Sequence, residues 1–194
     1  MANSLKALLK ELEVFGIEND AAPDNRARRM LNITHDTGEF LAVLVRAMGA
    51  CRILEVGTSN GYSTLWLADA ARAIDGQVTT IEMSATKVAL ARANFARARL
   101  QQHIGQVEGE AGAWLAQCDD AAYDLVFLDS ERTAYLGWLP QIARILRPGG
   151  LIVVDNATSH AQELAPFMQA LRGDAGWSVS LVPVGKGEFL ATKH

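Results

Sequence analysis

Residues 52–63 read RILEVGTSNGYS, and this stretch decides the fold. An apolar run passes here into a turn that contains Gly57 and Gly61, and a helical pattern continues from the turn to about Ala73. The order strand, glycine turn and helix is typical of nucleotide-binding α/β proteins. Glycine lets the backbone approach a ligand closely, and the free N–H groups at a helix start attract an anion. The stretch therefore predicts a ligand site at the carboxyl end of a strand.

Short apolar runs recur along the rest of the chain and alternate with longer helical patterns. Nearly all residues in these runs are apolar, which is typical of parallel strands covered by helices on both faces. We predict such strands at residues 52–56, 77–81, 106–108, 123–128 and 151–154, with helices such as 84–99 and 134–146 between them. The fold class is therefore α/β, with a doubly wound, Rossmann-like sheet.

The C-terminus departs from this alternation. Residues 179–182 and 188–192 are two strand patterns joined by the loop 183–187, which predicts an antiparallel hairpin at the end of a mostly parallel sheet. Dinucleotide-binding domains usually end with another parallel strand, whereas class I methyltransferases end with a hairpin whose last strand inserts into the sheet. The topology therefore favours methyl transfer.

Three helical patterns precede the sheet, at residues 4–15, 24–31 and 36–48. Because the chain has 194 residues and no linker-like stretch, we expect one domain over residues 1–194. Residues 1–49 would supply the N-terminal helices and residues 50–194 the cofactor-binding core. The apolar positions of the N-terminal helices are compatible with a homodimer.

The composition argues against several classes of partner. The formal net charge is −4 and no basic run occurs, so neither nucleic acid nor an anionic membrane is expected to bind. No run approaches the ~20 apolar residues of a membrane span. Cys51 and Cys118 lie far apart without metal-ligand spacing, which predicts neither a disulfide nor a zinc site and fits the cytoplasm. A small molecule is the expected partner.

The charges around the glycine turn indicate which ligand it binds. A dinucleotide site has Gly-x-Gly-x-x-Gly, but Ser59 stands at the middle glycine position and Glu55 would repel a pyrophosphate. A carboxylate at this point instead complements S-adenosylmethionine, which carries an ammonium and a sulfonium. Glu82 closes the second strand, where an acidic residue binds ribose hydroxyls, although an exposed carboxylate near a helix start is the alternative.

Residues 53–68 closely resemble the first motif of the catechol and caffeoyl-CoA O-methyltransferase family. Further landmarks follow the family order: GEFL at 38–41, VFLD at 126–129, VDN at 154–156 and PVGKG at 183–187, so the resemblance runs from about Thr34 to the end. The resemblance implies that the methionine moiety of S-adenosylmethionine is held by Glu55, Gly57, Ser59, Gly61 and Ser63, the ribose by Glu82, and the adenine by Met83 and Ala111.

Three oxygen-bearing side chains follow the fourth and fifth predicted strands. Asp129 ends one strand, and Asp155 with Asn156 ends the other, so all three are expected beside the cofactor at the carboxyl edge. Asp129 thus counts both as a cofactor contact and as a metal ligand. The family resemblance assigns the three to a hard cation such as Mg²⁺ or Mn²⁺, which would orient two substrate oxygens. The alternative is a metal-free site in which Asp155-Asn156 simply forms a turn.

The candidate general base differs from the family pattern. The family has a lysine three residues after the first metal aspartate, but this chain has Arg132, which cannot act as a base. Arg132 either binds a substrate carboxylate or phosphate or remains a surface charge. His160 is a possible substitute, because Ser159 to Gln162 reads as a capping box that would keep a histidine at the first helical position neutral. The alternative for His160 is a solvated helix-start residue.

These observations together predict an S-adenosylmethionine-dependent O-methyltransferase that acts on a hydroxyl of a small molecule. The short connection after Asn156 predicts an open pocket and argues against a bulky CoA ester. The acceptor is therefore expected among catechols, other phenols and non-aromatic hydroxyls. Two alternatives stay open, a metal-independent methyltransferase and a non-catalytic cofactor-binding module, and an NAD-dependent oxidoreductase is disfavoured by Glu55 and Ser59.

Overall fold

The computed structural model describes residues 3–21 and 28–194. The described helices are α1 (Asn3–Ala21), α2 (His35–Met48), α3 (Tyr62–Arg72), α4 (Ala85–Ala98), α5 (Ala111–Gln117), α6 (Tyr135–Ile145) and α7 (Ala161–Arg172). The described strands are β1 (Arg52–Val56), β2 (Gln77–Glu82), β3 (Ile104–Glu108), β4 (Tyr123–Leu128), β5 (Leu146–Val154), β6 (Trp177–Val182) and β7 (Glu188–Lys193). Among these helices, none is long and apolar enough to cross a membrane.

The strands form one mixed sheet in the order β3-β2-β1-β4-β5-β7-β6. The first five are parallel to one another, and β7 lies antiparallel between β5 and β6. The predicted α/β class and the inserted antiparallel strand are both confirmed. Because β1 and β4 are neighbours although other strands separate them in sequence, the chain reverses its winding direction there, and a crevice opens at their carboxyl ends.

Apolar side chains cover both faces of the sheet. Ile53, Phe127 and Val153 pack with the side chains of α1 to α4 on one face. Alternate residues of the same strands, such as Leu54 and Val126, pack with α5 to α7 on the other face. Burial on both faces explains why these strands are almost wholly apolar, and it fixes the carboxyl ends that carry the site.

The second predicted helix, residues 24–31, is wrong where the structure can test it. Residues 24–27 lie outside the described part of the chain, and residues 28–34, called the 28–34 segment below, form no α-helix. The Asp20 carboxylate accepts hydrogen bonds from the backbone N–H groups of Met30 and Leu31, at 2.7 and 2.8 Å. Leu31 adopts a positive φ of 51°. Because Asp20 of α1 accepts the hydrogen bonds of these two N–H groups, Met30 and Leu31 need no helical hydrogen bonds.

Some element bounds also differ from those predicted. Helix α1 continues to Ala21 instead of ending at residue 15, and β5 begins at Leu146 instead of residue 151. The early start of β5 includes a register shift against β4 between Tyr123 and Leu125. Gly149, with a φ of 69°, supplies the left-handed backbone that this irregular start requires.

Candidate active site

A cavity of about 840 Å³ opens at the carboxyl edge of the sheet. The turn after β1 and the ends of β2, β4 and β5 form its floor, and the 28–34 segment lies along one side. The lining side chains that carry charge or candidate chemistry are Arg29, Ser59, Ser63, Glu82, Lys87, Asp129, Glu131, Arg132, Asn156, His160, Glu163 and Lys186. Cofactor and acceptor candidates therefore share one space.

The turn after β1 contains three residues with positive φ: Gly57 at 109°, Ser59 at 49° and Gly61 at 86°. A Cβ atom on Gly57 would overlap the backbone carbonyl of Asp129, so the turn fits only glycine here. The Ser59 hydroxyl donates to the Met30 carbonyl at 2.6 Å, and the Ser59 N–H donates to Glu82 at 3.0 Å. Ser59 thus joins the turn to the 28–34 segment and to β2.

Glu55 lies beneath the turn and does not line the cavity. Its side chain is fully buried, and its carboxylate accepts hydrogen bonds from Ser63 and Thr80, both at 2.6 Å, and from Thr64. Burial raises the pKa of Glu55 to about 7, against the opposing effect of these three hydroxyl donors. Of the residues predicted to hold the methionine moiety, Gly57, Ser59 and Ser63 reach the cavity, whereas Glu55 and Gly61 do not.

We expect Glu55→Gln to flatten the dependence of stability on pH. A carboxyl whose pKa is raised by folding stabilises the protein fully below its unfolded pKa, and this stabilisation is lost as pH rises to the folded pKa. As pH rises from the ordinary pKa of 4.5 to about 7, ionisation of Glu55 should therefore lower the unfolding free energy of the wild type by roughly 3 kcal/mol. The glutamine variant should not show this decrease. Urea unfolding of both proteins from pH 4.5 to 8 measures the difference, with the exposed Glu108→Gln as the matched control. Parallel curves for wild type and Glu55→Gln would contradict the burial effect.

Glu82 ends β2 and lines the cavity. Its carboxylate accepts hydrogen bonds from the backbone N–H groups of Ser59 and Ser84, at 3.0 and 2.9 Å. The two predicted adenine contacts, Met83 and Ala111, do not line the cavity; Met83 is 71% exposed and Ala111 begins α5. Glu82 therefore links the predicted ribose site to the predicted methionine site, because its carboxylate is hydrogen-bonded to Ser59.

Asp129 and Asn156 line the other end of the cavity, and the buried Asp155 lies beside Asn156 without lining the cavity itself. The Asn156 side-chain amide donates to Asp155 at 2.7 Å and approaches Asp129 at 3.4 Å. Burial raises the pKa of Asp129 well above its ordinary value, and the neighbouring Asp155 carboxylate adds to the rise. Burial also raises the pKa of Asp155. Two carboxylates that repel each other and share the Asn156 amide favour a proton or a cation between them.

A third buried acid, Glu188, was not predicted from the sequence. It begins β7, is hydrogen-bonded to Asp155, and accepts a hydrogen bond from Thr37 at 2.9 Å. Burial, together with repulsion from the Asp155 carboxylate, raises the pKa of Glu188 to about 10, so Glu188 is protonated at neutral pH. Its position at the start of a buried strand, directly after the PVGKG landmark, was the available signal.

Arg132 and His160 both line the cavity. Arg132 is paired through Nε with Glu163 at 2.8 Å, and its side chain is only 12% exposed, which argues against a surface charge. The predicted capping box at Ser159 is wrong, because α7 begins at Ala161 and His160 occupies the N-cap without a side-chain cap bond. The Ser159 N–H donates to the Lys186 carbonyl and the His160 N–H to the Asn156 carbonyl, which draws residues 156–160 into a turn.

The donor set at Asp129, Asp155 and Asn156 fits a hard cation in part. Within residues 3–21 and 28–194, no three histidine, cysteine, aspartate or glutamate side chains are grouped as a metal cluster. A cation here would therefore rest on two carboxylates and the Asn156 amide. Carboxylate and amide oxygens are ligands that Mg²⁺ and Mn²⁺ prefer, and turning the Asn156 amide would present its oxygen.

Comparison with known proteins shows which proteins share this arrangement. The family model described as O-methyltransferase matches residues 2–194. A catechol O-methyltransferase of Mycobacterium tuberculosis is 35% identical over 136 residues, which is 70% of this chain and 61% of that protein, so the match spans less than two thirds of the relative.

A solved structure shows the same fold with a ligand. The O-methyltransferase TomG from Streptomyces achromogenes, involved in tomaymycin synthesis and crystallised with S-adenosylmethionine, is 27% identical and superposes with a TM-score of 0.80. The superposition covers 100% of this chain and 90% of TomG. The similarity therefore includes the whole sheet and the cavity edge described above.

Proposed function

Because the chain belongs to the O-methyltransferase family, we propose that it is an S-adenosylmethionine-dependent enzyme that methylates a hydroxyl of a small, catechol-like molecule with the help of a divalent cation. One observation carries the proposal. The glycine turn and Glu82 share a single cavity with Asp129 and Asn156, so a methyl donor and an oxygen acceptor can meet there. We further propose that residues 1–194 act as one domain.

The cofactor would lie across the turn after β1. Gly57, Ser59 and Ser63 would hold its methionine moiety, with Glu55 acting through Ser63 and Gly61 permitting the turn. Glu82 would bind the ribose hydroxyls, and Met83, directly after β2, and Ala111, at the start of α5, would flank the adenine. The cofactor supplies an electrophilic methyl group for in-line displacement, so the chain contributes mainly position and charge.

The acceptor would lie at the Asp129 end. Asp129, Asp155 and Asn156 would hold a divalent cation, which lowers the pKa of an acceptor hydroxyl and fixes its oxygen. A vicinal diol is the acceptor that such an arrangement orients best. Glu188, protonated and hydrogen-bonded to Asp155, would help to hold that carboxylate beside the Asn156 amide.

His160 is the proposed base, since an arginine such as Arg132 cannot act as a general base. The Ser159 hydroxyl lies 2.9 Å from His160 Nδ1 and can donate to Asn156 at 3.4 Å. When the hydroxyl hydrogen goes to Asn156, Nδ1 carries the imidazole proton and Nε2 is the basic nitrogen. Arg132 would then bind an acidic group on the acceptor.

One observation favours a metal-independent variant of this function. The positive charges of Arg132 and Lys186 lower the pKa values of Asp129 and Asp155, in opposition to burial. These two cations offset part of the charge that a divalent ion would neutralise. Activity in the presence of a chelator distinguishes the two mechanisms.

We also propose a cytoplasmic homodimer. Both Cys51 and Cys118 are free thiols, as a reducing compartment requires. Helix α1 exposes Val14, Phe15 and Ile17, and Ile17 is 67% exposed. Neighbouring apolar side chains of this kind support a contact with a second copy.

Replacement of Glu82 tests the cofactor assignment. We expect Glu82→Ala to weaken binding of S-adenosylhomocysteine more than tenfold, because two charge-assisted hydrogen bonds to the ribose are lost, each worth ~1.5 kcal/mol or more. Isothermal titration calorimetry measures the change. The matched control is Glu108→Ala, an exposed glutamate that pairs in register with Glu82 on β3. An unchanged dissociation constant in correctly folded Glu82→Ala would refute the ribose assignment, and binding of NAD in place of S-adenosylhomocysteine would refute the function.

A further inference from the structure

Arg29 lies on the 28–34 segment and lines the cavity. The segment is held on both sides of this residue. Asn19 donates to the Arg28 carbonyl at 2.8 Å, and the Met30 carbonyl accepts the Ser59 hydroxyl at 2.6 Å. The backbone of Arg29 is thus fixed next to the turn after β1.

The guanidinium of Arg29 has no partner in the described part of the chain. Its Nε is buried and makes no hydrogen bond, and none of the ion pairs among the described residues includes Arg29. A buried donor without a partner is costly, and a charged donor more so. By contrast, ion pairs with aspartate or glutamate are formed by Arg46, Arg52, Arg72, Arg97, Arg132, Arg144 and Arg147.

The partner that fits Arg29 is an anion inside the cavity. The cavity already presents the carboxylates of Glu82, Asp129 and Glu131, which would repel an anionic ligand group unless a cation stood beside it. S-adenosylmethionine has one anionic group, the carboxylate of its methionine moiety. The proposed function places that moiety at Ser59 and Ser63, beside the segment that carries Arg29. An arginine fork binds a carboxylate better than other side chains do.

We infer that Arg29 is a cofactor-binding residue that holds the methionine carboxylate of S-adenosylmethionine. The inference rests on the proposed function and adds a residue outside the glycine turn. It also explains why hydrogen bonds from Asn19 and Ser59 hold the 28–34 segment, since they keep Arg29 at the cavity. The carboxylate then joins the segment to the turn, and the bound cofactor is covered on that side.

The test compares two ligands that differ only in the carboxylate. S-adenosylhomocysteine has it, and its decarboxylated analogue keeps the amine but lacks it. We expect Arg29→Met to weaken S-adenosylhomocysteine about tenfold or more by calorimetry, and to change the affinity of the decarboxylated analogue less than twofold. Arg29→Lys, which keeps the charge but not the fork, should recover part of the loss. The matched control, Arg28→Met, removes the same charge from an exposed neighbour and should change neither affinity.

The outcomes separate this inference from the proposed function. A wild-type protein that binds no S-adenosylhomocysteine would overturn both. Equal weakening of the two ligands in Arg29→Met would mean that the side chain only supports the segment, and would overturn the inference alone. Unchanged affinity for both ligands, with or without a rise in the KM of the acceptor, would also overturn it.

Discussion

Chelation of divalent cations is expected to abolish methyl transfer and to leave cofactor binding largely intact. Asp155 is buried, Asp129 is half-buried where it lines the cavity, and the Asn156 amide lies within 3.4 Å of each carboxylate. Burial and mutual repulsion raise the pKa of Asp129, so the pair is stabilised by a cation that both can share. A divalent ion that activates a hydroxyl contributes several kcal/mol, which corresponds to a loss of about a thousandfold or more in rate when it is removed.

The measurement is turnover in excess chelator, followed by addition of Mg²⁺ or Mn²⁺. Either ion should restore the rate, and Asp155→Ala should behave like the chelated enzyme while still binding S-adenosylhomocysteine. Asp120→Ala is the matched control, because Asp120 is an exposed partner of Arg144. Full activity in chelator would leave the cofactor site standing and would favour the metal-independent variant, in which Arg132 and Lys186 offset the two carboxylates.

Gly57→Ala is expected to eliminate cofactor binding and to destabilise the fold. The φ of Gly57 is 109°, a backbone conformation that alanine rarely adopts, and the added methyl group would overlap the Asp129 carbonyl. The φ angle of Gly57 and the Asp129 carbonyl both belong to the backbone, so no side-chain movement can relieve the strain. Strain of this kind costs ~1–3 kcal/mol even before the steric overlap is counted. We expect a loss of several kcal/mol in unfolding free energy and more than a hundredfold in affinity for S-adenosylhomocysteine.

Gly137→Ala is the control for this substitution. Gly137 lies within α6, has ordinary helical backbone, and has no atom within 4 Å of an added Cβ. Alanine there should stabilise the helix by about 1 kcal/mol, so the two glycine variants should move the urea midpoint in opposite directions. A Gly57→Ala protein with wild-type midpoint and affinity would show that the turn is not as tight as described.

The sequence predicted the sheet well because burial on both faces leaves a simple pattern. Residues 52–56 and 123–128 were predicted at the bounds that the structure shows, since both are short and mostly apolar runs. The antiparallel C-terminal pair was predicted from two strand patterns joined by the short loop 183–187, although β6 is not buried on both faces. The segment at 28–34 was not, because its hydrogen bonds go to Asp20, ten residues away, and to Ser59.

The candidate site was predicted in part. Asp129, Asp155 and Asn156 follow predicted strands, so the parallel sheet alone brings them together. Glu188 was missed because its partners, Thr37 and Asp155, are distant in sequence and only tertiary packing joins them. The burial of Glu55 was missed for a similar reason, since one of its hydrogen-bond donors, Thr80, comes from the neighbouring strand. A spacing pattern carries no information on such contacts.

The most direct test of the central claim is product analysis by mass spectrometry. The protein is incubated with methyl-labelled S-adenosylmethionine, Mg²⁺ and a panel of catechols, simple phenols and aliphatic alcohols. We expect S-adenosylhomocysteine and a labelled mono-O-methyl ether to form in equal amounts, with catechols turned over fastest. Tight cofactor binding without any labelled ether across the panel, under conditions where the protein is folded and Mg²⁺ is present, would contradict the account.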